Sequence, residues 1–394
     1  TMITKLIGIG AAGNKAAISA IQAGVIKKED VLLINSTLKD IPKDYDGKKY
    51  CFAGAYGGCG KERNIAKTHI QEDLTNETLD MKEFLAIGQK DKEAEFVVLV
   101  SSTEGGTGSG SVPILARYIK EVLGVKAVQC FAFIGFGDDI RGLRNTVEYF
   151  KELEDVIAIQ ATCNAKYLSM ADDDKIKAEK LANEDFCRKL AVVMGNMLRD
   201  SDHNIDPTDH LKIVSTPNYC VVEYREFDKM KNKDEFSKMV KEMVDDSKAI
   251  DVVSKSQRRF AIITNIDPDS TGSIEFNKVL TERYGQCYEI YQHIQHEKSM
   301  PNFFAFISSG NKIPTDEIEK LYREYQERMS SMDNTPDEFY AKSFDFDAMD
   351  DSFNLEAKPK TKSASDFFSS FGVESKNPAP AEGGSTSKKV ASQF

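Results

Sequence analysis

Apolar residues in this chain come as short unbroken runs that alternate with segments of helical periodicity. The runs at 3–9 (Ile-Thr-Lys-Leu-Ile-Gly-Ile), 31–35 (Val-Leu-Leu-Ile-Asn), 96–101 (Phe-Val-Val-Leu-Val-Ser) and 129–136 are too short for helices. They read as strands covered on both faces, as in a parallel sheet. Between them, 13–24, closed by Gly24, and 62–72, 112–123 and 144–154 carry helical patterns, with Pro113 in the first turn of the third. Strand–helix alternation predicts an α/β fold with an open parallel sheet and ligand loops at the strand carboxyl ends. A long helix follows from about Ala178 to Arg199, with Leu181, Phe186, Leu190, Val193, Met194, Met197 and Leu198 at its apolar positions. Strand candidates at 219–224, 260–265 and 302–308, spaced by helices, predict a second, smaller α/β domain. Residues 314–332 form a strongly charged helix with an acidic start. Beyond about Asp350 the chain is rich in Ser, Lys, Ala, Pro and Gly and reads as a disordered tail. The expected division is therefore 1–177, a first domain; 178–200, a central helix; 201–312, the second domain; 313–349, a C-terminal helix; and 350–394, the tail.

Composition narrows the classes. With 394 residues, 41% hydrophobic and 29% charged, the chain suits a soluble protein of two domains and a tail. A net charge of −11 argues against a broad nucleic-acid-binding surface. The seven cysteines are odd in number and form no CxxC, which fits a reducing cytoplasm. No run reaches the roughly 18 apolar residues of a membrane span, and no signal peptide is visible.

Two glycine-rich loops carry the chemistry. Gly8-Ile9-Gly10-Ala11-Ala12-Gly13-Asn14 and Glu104-Gly105-Gly106-Thr107-Gly108-Ser109-Gly110 each follow a strand and open into a helix. Glycine lets the backbone approach a ligand, and a helix start aims N–H groups at an anion. Two such cradles suit a polyphosphate held from two sides. A third loop, Gly54–Lys61, fails the P-loop pattern because Glu62, not Ser or Thr, follows Lys61. It reads as a further cradle wall through Gly57, Gly58 and Gly60. Gly8-x-Gly10-x-x-Gly13 also fits the dinucleotide fingerprint of an oxidoreductase, but Asn35-Ser36 stands where a ribose-binding carboxylate is needed. His293 and His296 sit at helical spacing without a third metal ligand, and no metal-binding side chains are assigned.

The second glycine signature and the loop order resemble the tubulin/FtsZ superfamily. Its phosphate signature is GGGTG[ST]G, and here Glu104 replaces the first Gly. The first loop is similar to the FtsZ-type nucleotide loop, and Asn204-Ile205-Asp206-Pro207-Thr208-Asp209 matches the family's NxDxxD element. The general character, with a charged helix and a Lys-containing tail, is most similar to the TubZ group of plasmid- or phage-borne segregation GTPases.

The resemblance implies a tubulin/FtsZ-like fold, GTP or GDP as ligand, and Mg2+ bridging phosphate oxygens. Phosphates would sit among Gly10, Ala11, Ala12 and Asn14, among Gly57, Gly58 and Gly60, and among Gly105, Gly106, Thr107, Gly108, Ser109 and Gly110. It implies base contacts from Asn183, with Glu184 and Asp185 adjacent in register, or from Asn164, and a ribose or phosphate contact from Arg141 or Arg144. It further implies GTP hydrolysis between head-to-tail subunits, with Asn204, Asp206 and Asp209 acting on the neighbour's nucleotide. A DNA-binding adaptor on centromere-like DNA is the implied partner, with an FtsZ-like division or phage-positioning filament as the alternative. No membrane partner is expected.

Overall fold

The computed structural model describes residues 2–53, 57–230, 232–252, 257–266 and 277–330. Residues 54–56, the expected tail, and residues 331–349 of the expected C-terminal helix lie outside the described residues.

The first half runs β1 (Thr4–Ile9), α1 (Gly10–Gln22), β2 (Val31–Asn35), β3 (Lys48–Cys51), α2 (Arg63–Thr75), α3 (Met81–Phe84), β4 (Phe96–Ser102), α4 (Gly106–Arg117), β5 (Ala127–Ile134), α5 (Ile140–Leu153) and β6 (Ala158–Cys163). The remainder is α6 (Lys175–Val193), α7 (Pro207–Val214), β7 (Asn218–Glu226), α8 (Lys233–Asp245), β8 (Gln257–Asn265), α9 (Asn277–Tyr284), β9 (Cys287–Gln295), β10 (Phe303–Asn311) and α10 (Thr315–Ser330).

All ten strands among the described residues join one sheet in the order β3-β2-β1-β4-β5-β6-β7-β10-β8-β9. Pairing is parallel from β3 through to β7, β10 runs antiparallel to both β7 and β8, and β8 and β9 are parallel. The strands expected of a second unit thus extend the first sheet, through Ala158 beside Asn218 and Ile159 beside Tyr219. Two apolar layers flank it. One packs Ile70 of α2, Ile114 of α4, Val147 of α5, Phe236 of α8 and Ile318 of α10 on one face. The other packs Ala16 of α1, Phe186 of α6 and Ile213 of α7 on the opposite face. Burial on both faces explains why β2, β4 and β5 are continuous apolar runs.

Several expected boundaries shift for physical reasons. The central helix covers Lys175–Val193 rather than 178–200. Asp174 caps its start by accepting the amides of Ile176 and Lys177, and Gly195, at φ +72°, follows its end. The third helix begins at Gly106, not 112, so the glycine loop is itself helical and Pro113 lies inside the helix. β3 and β9 were not expected. Both are sheet edges: β3 exposes Lys48 and Lys49, and β9 exposes Tyr288, Ile290 and Ile294 while burying His293 and Gln295, so neither presents a buried apolar run. His293 accordingly lies on a strand, which removes its helical spacing to His296.

Candidate functional site

The strand order reverses between β1 and β4, and the connections leaving those two strands diverge over a crevice. Crevices of this kind at strand carboxyl ends are where open α/β sheets bind ligands. Here the crevice is a cleft of about 550 Å³. Its described walls come from Gly10, Ala11 and Ala12, from Asn35 to Thr37 with Lys39 and Asp40, from Gly57 to Gly60, and from Gly105 to Gly108. The three glycine loops singled out in the sequence therefore meet in one place.

Two helices start at this cleft, and neither is capped. α1 follows Ile9 and α4 follows Gly105, and neither capping residue supplies a side-chain acceptor. Neither first turn contains an acidic residue. By contrast, Asp139, Asp174, Asp206 and Asn232 cap α5, α6, α7 and α8 with side-chain oxygens. Uncapped first-turn amides, with the positive ends of two helix dipoles, favour an anion. Gly10 has φ +74° and Gly58 has φ +93°, conformations that side chains other than Asn or Asp rarely adopt. Gly108 answers a different demand: a Cβ there would lie 2.8 Å from Ser101 Cβ. The loops are tied together by Gly106 N–H donating to Gly60 O at 2.9 Å and by a Ser36–Thr107 hydroxyl pair at 3.0 Å. Asn145 adds donations to the carbonyls of Lys61 at 3.1 Å and Glu104 at 2.9 Å.

Glu104, the departure from the signature, does not line the cleft. Its carboxylate accepts the Gly137 amide at 3.2 Å, and a Cβ on Gly142 would lie 3.2 Å from Glu104 Cβ. Burial against this loop raises its pKa. The cradle thus tolerates Glu at this position because the side chain turns toward the β5–α5 loop.

Arg63 was not singled out in the sequence, yet it fixes the third wall. It is 4% exposed and follows the Gly57–Lys61 segment. Pro113 has no N–H, so the Ser109 carbonyl loses its normal helical donor. The Arg63 guanidinium supplies the missing bonds, at 2.7 Å from Nη2 and 3.3 Å from Nε. The same group pairs with Glu148 at 2.8 Å and Glu152 at 2.6 Å, and Lys67 also contacts Glu152. Burial pushes the Glu152 carboxyl up, but Arg63 and Lys67 outweigh it and hold the pKa below the usual value.

Several expected contacts lie off the cleft. Asn14 is buried below it, donating to Ile34 O at 3.3 Å, with its Oδ1 unpartnered. Ser109 turns back to the Gly105 carbonyl, and Gly110 packs on Arg63 and Ala66 of α2. Arg141 pairs with Glu62, and Arg144 with Glu148 at 2.9 Å, along a separate small polar cleft. Asn164 opens the short helix after β6 and is buried, with Oδ1 unpartnered. Asn183 is half-buried on α6, next to Glu184 and Asp185. Asp185 is committed elsewhere, to Tyr167 at 2.7 Å and Lys189 at 3.0 Å. Cleft residues missed in the sequence include Lys39, Asp40 and Cys59. Among the described residues no three His, Cys, Asp or Glu side chains cluster as a metal site. No described helix is long and apolar enough to cross a membrane.

The Asn204–Asp209 segment follows α6 and lines no part of the cleft. Asn204 and Asp206 are exposed, and Asp209 is half-exposed beside Lys212 at 3.4 Å. Asp206 is the N-cap of α7, accepting the amides of Thr208 at 2.7 Å and Asp209 at 3.4 Å.

No family model matches the chain. The cell division protein FtsZ of Mycoplasmopsis pulmonis is 24% identical over 210 residues, which span 52% of this chain but only 50% of that protein. The tubulin-like protein TubZ of Clostridium botulinum C phage is 21% identical over 341 residues, covering 75% of this chain and 90% of TubZ. Among solved structures, CetZ2 from Haloferax volcanii, a GTPγS-bound protofilament, superposes with a TM-score of 0.67 at 16% identity. That superposition covers 84% of this chain and 99% of CetZ2. The chain thus has the tubulin/FtsZ-like fold, and its sequence is similar to FtsZ and TubZ proteins.

Proposed function

We propose that the chain binds GTP in the cleft, assembles head to tail, and hydrolyses GTP at the contact between subunits. The observation that carries this reading is the convergence of two uncapped helix starts, α1 and α4, on one cleft. A dinucleotide would need only the first. The triphosphate would lie among the amides of Gly10–Ala12 and Gly105–Gly108, with Gly57–Gly60 as the outer wall. The cleft-facing hydroxyls of Ser36 and Thr107 would add donors. A magnesium ion would draw most of its ligands from phosphate oxygens and water, since the cleft's side chains offer one carboxylate, Asp40.

Asp206 and Asp209 are exposed or half-exposed and separate from the chain's own cleft. They can polarise an attacking water only for a nucleotide carried by another subunit. Such a contact joins two different surfaces, so repetition gives an open filament rather than a closed ring unless its rotation closes. Filaments of CetZ2 bound to a GTP analogue support this assembly mode.

At the finer level, we propose the DNA-segregating role through a DNA-binding adaptor that the resemblance to the TubZ group implies; similarity to the phage tubulin-like protein TubZ over 90% of that protein's length supports the resemblance itself. The similarity to FtsZ keeps a division-type filament as the second reading. Sedimentation with GTP, GDP, ATP and no nucleotide tests the proposal. Polymer is expected with GTP, with little in the other three. Polymer independent of nucleotide, or supported equally by ATP, would overturn it.

A further inference from the structure

The Asn204–Asp209 segment is stitched to the tip of β9 by a chain of hydrogen bonds, and one of them depends on a proton. Ile205 N–H donates to His293 Nδ1 at 3.3 Å. The other ring nitrogen, Nε2, lies 2.9 Å from Gln295 Oε1. The orientation of Gln295 is set by its remaining partners. Its Nε2 donates to Met197 O at 2.9 Å, and its Oε1 accepts Arg199 N–H at 2.7 Å. Gln295 Oε1 is therefore an acceptor, His293 Nε2 carries the hydrogen, and Nδ1 must be bare. The backbone adds Ile294 N–H to His203 O at 3.1 Å and the Ser201 hydroxyl to Ile294 O.

His293 is 2% exposed. The ionisable groups near it are few. From α7 comes His210, fully buried, its Nε2 at 2.7 Å from Val193 O and its Nδ1 unpartnered. From the segment after α6 comes Arg199, whose guanidinium turns to the Asn196 and Leu198 carbonyls at 2.9 Å each. On β9, Glu289 and Tyr291 are engaged with Arg259 and Lys212. Among the described residues no carboxylate is paired with the ring. Burial holds the pKa of both imidazoles below the usual range, and His293 lowers that of His210 further.

We propose that His293 is a positioning residue for the Asn204–Asp209 segment, and that its protonation releases the Ile205 amide and disengages the segment. A proton on Nδ1 would set N–H against N–H and put a charge beside His210 in a dry site. Ile205 lies between Asn204 and Asp206, the α7 cap, so losing its anchor would misplace both. This rests on the proposed role of the segment in hydrolysis. It adds a pH dependence that acts on turnover and leaves the nucleotide cleft untouched.

The test compares wild type, His293→Asn and His293→Phe between pH 5 and 8. Three readouts are followed: GTP turnover in pelleted filament, affinity for a fluorescent GTP analogue, and amide hydrogen exchange of the 200–210 segment. Asn offers an acceptor near the Nδ1 position but does not titrate. Wild-type turnover is expected to fall on the acid side, with a midpoint below the ordinary imidazole value of about 6.5. Exchange of the segment should rise in parallel while analogue affinity holds. His293→Asn should keep neutral turnover and lose the acid limb. His293→Phe should lower turnover at every pH by about five-fold, the worth of one neutral hydrogen bond. An acid limb that persists in His293→Asn, or segment protection that stays constant with pH, would overturn the proposal. If no GTP is turned over at any pH, the hydrolytic reading fails. Hydrogen exchange then decides whether His293 controls the segment.

Discussion

Replacing Arg63 by Met probes the anchoring of the third cradle wall. Met keeps most of the apolar stem and removes the guanidinium. Three groups lose a partner: the Ser109 carbonyl, Glu148, which retains Arg144, and the buried Glu152, which retains Lys67. Breaking a buried ion pair by deleting one member costs about 3–5 kcal/mol when the charge left behind has no other partner, and the cations that remain, Lys67 beside Glu152 and Arg144 beside Glu148, hold the loss here to the lower end of that range. The orphaned carbonyl alone accounts for about 1–3 kcal/mol of such a loss. Urea denaturation of the nucleotide-free protein should therefore report a destabilisation of about 3 kcal/mol.

Pro113→Ala supplies the missing N–H for Ser109. The change should thus be more favourable in the Arg63→Met background than in wild type, by about 1 kcal/mol of coupling. The pH dependence has a definite sign. The folded pKa of Glu152 is depressed, so its contribution is present above the unfolded value of about 4.3 and is lost as pH falls through the lower folded value. Arg63→Met removes the main cause of that depression, so the gap between variant and wild type should narrow in acid. A loss below about 1 kcal/mol at neutral pH, or equal Pro113→Ala effects in both backgrounds, would refute the reasoning.

Other expected outcomes follow from the site. Purified protein should bind GTP well above ATP in competition with a fluorescent analogue, and equal affinity would contradict a guanine site. Asp209→Ala should leave GTP binding and sedimentation intact, nearly abolish phosphate release and make filaments more persistent. Asp206→Ala should do the same and also cost about 1 kcal/mol of stability in denaturation, because it removes the α7 cap. Deleting residues 356–394, which carry six Lys against four acidic residues and include Phe367, Phe368 and Phe371, should spare turnover but weaken co-pelleting with an adaptor–DNA complex.

The parts of the site legible in the sequence were those that only one residue type can satisfy. Gly10 and Gly58 need left-handed backbone, and Gly106 and Gly108 need close approach, so the loops stood out without knowledge of the fold. Arg63 was not legible. Its role depends on a proline 50 positions away and on two glutamates of α5, a non-local arrangement that leaves no mark on the local pattern. The edge strand β9 was hidden for a related reason. Its exposed positions include Tyr288, 85% exposed, Ile290 and Ile294, so polarity does not follow burial there. Missing that strand also hid the role of His293, whose ring joins Ile205, in the segment following α6, to Gln295 of the same strand. The continuity of the ten-stranded sheet rests on the pairing of β6 with β7, which local periodicity cannot reveal.

The central claim is that one subunit supplies the cleft and another the carboxylates. It is tested most directly by mixing two inactive variants. Gly105→Asp places a carboxylate where a Cβ meets nothing within 4 Å, so the fold should survive while the cleft repels phosphate. Asp209→Ala keeps the cleft and loses the acid. Each alone should release almost no phosphate from GTP. Mixed in equal amounts, they should regain roughly a quarter of the wild-type rate, as random order along a head-to-tail filament joins intact cleft to intact acid at that frequency. A mixture no more active than the sum of its parts, although both variants fold and Asp209→Ala binds GTP, would contradict the shared site.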